Sequence, residues 1–191
     1  MCNDGLANMA YFYFDFKDKA KQDSRALLSS LLVQLSDQSD QFCDILLSSY
    51  STHKDGSEQP SSASLVRCLK NMFAIAGQVP IYLILDALDE CPNTAGVPSS
   101  REKVLDLLEE FAELRDLNLR LCVTSRPEFD ICTVLGPLAS QRLSLQDESG
   151  QRQDIIYYVT SVVRSDKRMK RWKDEEKDMV IDKLIEKADG M

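Results

Sequence analysis

A parallel α/β fold is what the sequence predicts. Three apolar runs, Met9–Phe16, Val79–Leu85 and Leu119–Val123, read as strands buried on both faces. Between them lie segments whose apolar residues recur at three and four positions, the period of helices laid on a sheet. The second and third runs stop at Asp86-Ala87-Leu88-Asp89-Glu90 and Thr124-Ser125-Arg126-Pro127. Polar residues placed there belong at the carboxyl edge of a parallel sheet, where ligands bind.

Each element has its own reason. Met9–Phe16 (MAYFYFDF) is aromatic and free of Gly and Pro. Asp23 or Ser24 then caps a helix carrying Leu27, Leu28, Leu31, Leu32 and Leu35. The Ser/Gln-rich stretch Ser36–Gln41 interrupts that helix. Ser51–Ser62, with Gly56 and Pro60, is a loop containing His53. A further helix over Ser64–Ala76 places Leu65, Leu69, Met72 and Phe73 on one side. After the loop Cys91–Pro98, Ser99 and Glu102 form a capping box for a helix with Val104, Leu105, Leu108, Phe111 and Leu114 inward. Arg142–Leu145 is expected as a short fourth strand. Asp154–Val163 and Lys173–Ala188 are helical, the second with Met179, Ile181, Leu184 and Ile185 facing in. Strands and helices alternating this way give right-handed crossovers.

Composition bounds the function. The chain has 191 residues, 43% hydrophobic and 28% charged, an ordinary globular balance. With 23 Lys+Arg against 31 Asp+Glu, the net charge of −8 speaks against nucleic acid or an anionic membrane as partner. Lys167, Arg168, Lys170, Arg171 and Lys173 form a local basic patch, read as a solvated helix face. No apolar run reaches the roughly 18–20 residues of a membrane span, and no secretory signal opens the sequence. The six cysteines, Cys2, Cys43, Cys68, Cys91, Cys122 and Cys132, contain no Cys-x-x-Cys pair, and most, Cys122 among them, read as small buried hydrophobes. His53 is the only histidine, which argues against a zinc site or a histidine-based triad. The expectation is a reduced, cytoplasmic protein.

Two constellations could carry chemistry. A buried strand closing on a carboxylate, Leu83-Ile84-Leu85-Asp86, suits Mg²⁺, which keeps several waters and needs only one or two protein carboxylates. Asp89 and Glu90 follow just past the sheet edge, where a second carboxylate can orient a water. Alternatively, these acids merely decorate a strand end and a turn. Arg126 ends the neighbouring strand and can meet a terminal phosphate through charge-assisted hydrogen bonds. Its plainer reading is an arginine paired with a surface acid near the start of a helix.

These residues carry a resemblance. YLILDALDEC followed by LRLCVTSRPE resembles the Walker B and sensor 1 motifs of NACHT domains, the signalling branch of the STAND P-loop NTPases, and the fungal, nephrocystin-like members in particular. FYFDFKDKAKQDSRALLSSLLVQL and RLSLQDESGQRQDIIYYV resemble the flanking stretches of the same family. The resemblance implies a partial P-loop NTPase-type three-layer fold over residues 1–150, followed by a helical segment, 151–191. It implies that Asp86 holds Mg²⁺ through water, that Asp89 and Glu90 assist metal or water, and that Arg126 is sensor 1. It implies ATP and ADP as ligands and a nucleotide-controlled switch within a repeat-containing parent protein. The partners would then be other chains, through self-association or an effector, with hydrolysis left open.

One departure limits what these residues can do alone. None of Gly5, Gly56, Gly77, Gly96, Gly136, Gly150 and Gly190 belongs to a G-x-x-x-x-G-K-[ST] loop, so the phosphate cradle is absent from the sequence. The expectation is an interior fragment whose family's first, central strand is missing, leaving the strand at Leu119–Val123 with an open edge and the chain marginally stable. Two further functions stay open. One is a non-catalytic interaction module that pairs through that edge. The other is a metal-dependent phosphohydrolase using Asp86, Asp89 and Glu90.

Overall fold

The computed structural model describes residues 6–52, 58–75, 79–93, 98–114, 118–144 and 149–188, and for 149–152 the backbone alone. His53, Cys2 and Leu145 lie outside the described residues. The chain divides into two compact units, Met1–Ala139 and Ser140–Met191.

The first unit is built on a three-stranded parallel sheet in the order β1-β2-β3. These strands are β1 (Asn8–Tyr13), β2 (Ile81–Asp86) and β3 (Leu119–Val123). The register pairs Ala10 with Leu83 and Phe12 with Leu85 across the first ladder, and Leu83 with Leu121 and Leu85 with Val123 across the second. Side chains alternate across a strand, so one face collects Ala10, Phe12, Ile81, Leu83 and Leu85, all buried.

Helices cover that face. The first, α1 (Ser24–Ser36), starts where the Asp23 carboxylate accepts the Ala26 N–H at 2.8 Å. All five of its inward leucines are buried, each worth roughly 1.5–3 kcal/mol of transfer free energy. A break at Asp37–Ser39 separates α1 from α2 (Asp40–Thr52), in the Ser/Gln-rich stretch. The third, α3 (Ser62–Phe73), buries Leu65, Leu69, Met72 and Phe73. The capping box of Ser99 and Glu102 is formed at the start of α4 (Ser100–Ala112). Phe73 and Phe111 meet edge to face at 5.4 Å, joining α3 to α4. A short helix, α5 (Phe129–Leu135), follows β3 and buries Ile131.

Among the described residues the opposite face of the sheet is about half exposed, which corrects the expectation of strands buried on both sides. Tyr11, Tyr13 and Tyr82 are 45%, 51% and 44% exposed, and Cys122 is exposed beside them rather than a small buried hydrophobe. An aromatic strand with no polar alternation looks doubly buried in sequence. Tyrosine, however, tolerates water at its hydroxyl end and does not report which face is covered.

The outer edge of β1 is closed by two glutamine side chains, Gln34 of α1 and Gln38 in the turn that follows it. Gln38 accepts the Met9 N–H at 2.9 Å and donates to the Met9 carbonyl at 2.7 Å. One turn earlier, Gln34 does the same for Tyr11, at 3.1 and 2.8 Å. Each carboxamide presents the donor and acceptor that a neighbouring strand would supply.

The second unit holds α6 (Ser149–Ser165) and α7 (Asp174–Ala188), in contact with each other, burying Val163 on the first helix and Ile181 on the second. Met179 and Leu184, expected inward, are 71% and 46% exposed. Within this unit the two helices bury only a narrow stripe against each other. The basic patch lies on the short turns between these helices, exposed, rather than along a helix face. Arg142–Ser144 carry no regular structure, and Leu143 is 86% exposed, so no strand begins there. Without a ladder to answer its backbone groups, an apolar residue or two does not make a strand.

Candidate functional site

The carboxyl ends of the strands emerge along one edge of the sheet, and acidic side chains of the loop after β2 tie the other two ends to it. Asp86 is the last residue of β2 and is half-buried. Its Oδ1 accepts the Thr124 hydroxyl. The same hydroxyl oxygen accepts the Ala87 N–H at 3.0 Å, and the Thr124 carbonyl accepts the Leu88 N–H at 3.0 Å. These bonds hold a tight turn in which Ala87 takes φ 58° and ψ 45°, a left-handed conformation that a residue with a Cβ seldom adopts. A non-glycine residue held there costs on the order of 1 kcal/mol or more, and the surrounding bonds offset it.

Asp89 reaches β3's exit. Its Oδ1 accepts the Arg126 N–H at 3.0 Å, and its Oδ2 lies 3.4 Å from the Arg126 Nε. The Asp89 side chain is 10% exposed, whereas that of Arg126 is 77% exposed. The carboxylate is therefore committed while the cation stays within reach of a ligand. Glu90 points the other way, its Oε2 accepting the Phe16 N–H at 3.2 Å just beyond β1. The geometry thus joins Asp89 to Arg126 and Asp86 to Thr124, and sends Glu90 to a different loop. Arg126 is paired with an acid, as its plainer reading had it, yet that acid belongs to the same acidic box.

Two participants had no assigned role in the sequence. Thr124 bridges the two loops through a hydroxyl that both donates and accepts. Arg101, in the first turn of α4, is only 5% exposed. Its Nε donates to the Cys91 carbonyl at 2.9 Å and its Nη2 to the Asp89 carbonyl at 2.6 Å. Its Nη1 binds Glu128 and, at 3.3 Å, Asp130. Burial opposes the charge. Hydrogen bonding and attraction from Glu128, reinforced by Asp130, outweigh it and hold the guanidinium above its ordinary pKa. The period offered a clue, because Arg101 extends the stripe of Val104, Leu105 and Leu108 by one turn, and a cation on an apolar face must be paired. Nearby, burial pushes the Cys91 thiol up to about 11, so it stays protonated at neutral pH.

The donor set suits a hard cation only modestly. Asp86 has one oxygen engaged by Thr124, and Oδ2 has no hydrogen-bond partner among the described residues. That leaves one carboxylate oxygen for a metal that keeps most of its water. Among the described residues no group of three or more His, Cys, Asp or Glu side chains could cage a metal. None of the described helices is long and apolar enough to cross a membrane.

A family model for the N-terminal region of nephrocystin 3 matches residues 2–126. That span contains all three strands, the acidic box and Arg126, its last residue. No curated protein and no solved structure matches the chain.

Proposed function

The chain belongs to the nephrocystin 3 N-terminal family, and from that premise we propose that it carries the Walker B and sensor 1 half of a NACHT-type nucleotide-dependent switch. In this reading Asp86 takes Mg²⁺ through water, and the metal neutralises charge on the phosphates of ATP or ADP. Asp89 and Glu90 fix the turn that follows Asp86, and Arg126 offers an exposed cation to a terminal phosphate. The partners are other protein chains, by self-association or through an effector.

One observation carries the reading: the acidic box and Arg126 occupy neighbouring carboxyl ends of a parallel sheet, joined by the Asp89–Arg126 contact. A phosphate arriving there competes with Asp89 for a guanidinium that is already largely exposed. The glycine-rich cradle is absent from these 191 residues, so the reading expects weak binding.

NMR titration of the chain with MgATP and MgADP at millimolar concentration tests it. Resonances of Asp86–Glu90 and Thr124–Arg126 should shift with magnesium present and stay still in Asp86→Asn. Shifts elsewhere, or none, overturn the assignment. A non-catalytic interaction module is the second reading, favoured by the half-exposed tyrosine face and by the outer edge of β3, which pairs with nothing among the described residues. Concentration-dependent association indifferent to Asp86→Ala would support it.

A further inference from the structure

Arg101, Asp89, Arg126 and Glu128 form a closed circuit. Arg101 Nη2 donates to the Asp89 carbonyl at 2.6 Å, and Asp89 Oδ1 accepts the Arg126 N–H at 3.0 Å. The Arg126 carbonyl accepts the Glu128 N–H at 2.8 Å, and the Glu128 carboxylate returns to Arg101 Nη1. The backbone of Arg126 is therefore held on both its N–H and its C=O, while its side chain remains 77% exposed.

We propose that Arg101 is a positioning residue that clamps the backbone of Arg126, so that the Arg126 guanidinium is presented to a phosphate at the sheet edge. The presentation to phosphate rests on the nucleotide reading above; the clamp itself does not. The chemistry requires arginine. A planar fork can meet two backbone carbonyls and two carboxylates at once, whereas an ammonium is a point charge that cannot span them. The circuit also joins three segments that are distant in sequence: the turn after β2, the start of α4 and the segment entering α5. Asn93 extends it, donating to Asp130 at 3.0 Å and accepting from the Ser99 hydroxyl at 3.2 Å. Moving Arg126 toward a ligand thus means moving a jointly held unit, and binding at Arg126 is felt at the head of α4.

Amide hydrogen exchange on the full chain tests the clamp. Arg101→Lys keeps the charge and removes the fork. Glu128→Ala opens the same circuit at a position whose side chain is 43% exposed, where folding is least at risk. In both variants the Arg126 and Glu128 amides should exchange about tenfold faster, the loss of roughly one charge-assisted hydrogen bond, while the Leu83 amide in β2 keeps its wild-type rate. Unchanged exchange at Arg126 in both variants overturns the clamp. So does acceleration that merely tracks Leu83, which is what general loosening would give. MgATP added to the wild-type chain separates the two claims. No response at Arg126 overturns the presentation to phosphate and leaves the clamp to the exchange data.

Discussion

Along β1, the outward N–H and C=O groups of Met9 and Tyr11 are answered by Gln38, in the turn after α1, and by Gln34 of α1. Along β3, the outward backbone groups of Leu121 and Val123 meet nothing among the described residues, and Arg120 folds back on the Leu119 carbonyl at 3.1 Å. Among the described residues the sheet is thus closed on one side by carboxamides and open on the other. An edge can be sealed without a strand, by two glutamines four residues apart at the end of a helix. Extension of this sheet also has a direction. A strand added at β3 meets unpaired groups, whereas one added at β1 must first displace the amides.

The largest expected effect separates the two sides of β3 itself. The bonds of Asn118 and Thr124 to β2 set the alternation, by which Cys122 donates inward and Leu121 outward. Cys122→Pro should cost about 3 kcal/mol or more and abolish the cooperative transition in urea, because it breaks the ladder. Leu121→Pro should cost clearly less, mostly through packing. Equal costs would mean that the outward side of β3 is not free.

Opening the closed edge comes next. Gln34→Ala with Gln38→Ala should lower stability by about 1–2 kcal/mol, the edge being wet enough for water to replace part of the loss. Sedimentation velocity should then show concentration-dependent association in the double variant. A wild-type profile at high concentration would mean that the glutamines are not what guards β1.

Thr124→Val tests how the open strand is anchored at its end. Losing the hydroxyl strands Asp86 Oδ1 and the Ala87 N–H together, at a cost of about 1 kcal/mol by chemical denaturation. An unchanged midpoint would show that the left-handed turn stands without Thr124. Arg126→Ala should be the mildest, within about 0.5 kcal/mol, since its ion pair is largely solvated. A larger loss would show that its side chain, and not only its backbone, holds the β3 exit in place.

The strands, the helices of the first unit and the capping box were legible because each is announced by local pattern. Periodicity, a cap residue and a charge at the end of an apolar run all lie within a few neighbours in sequence. The acidic box and Arg126 were legible for the same reason. Reading Met9–Phe16 as doubly buried failed because an aromatic run looks alike whether one face is covered or two. Met179 and Leu184 were misplaced because apolar period shows where a helix could pack, not how much of it finds a partner.

The order of the elements, and the acids and arginine at their ends, follow from the amino-acid order alone, since propensity and hydrophobic period act over short range. The partners were set only once the chain had folded: Gln34 and Gln38 to the rim of β1, Thr124 to Asp86, and Arg101 to two other segments, the turn after β2 and the entry to α5. Hydrogen bonds of that kind join residues tens of positions apart, and their geometry exists only once the sheet has brought the strand ends together.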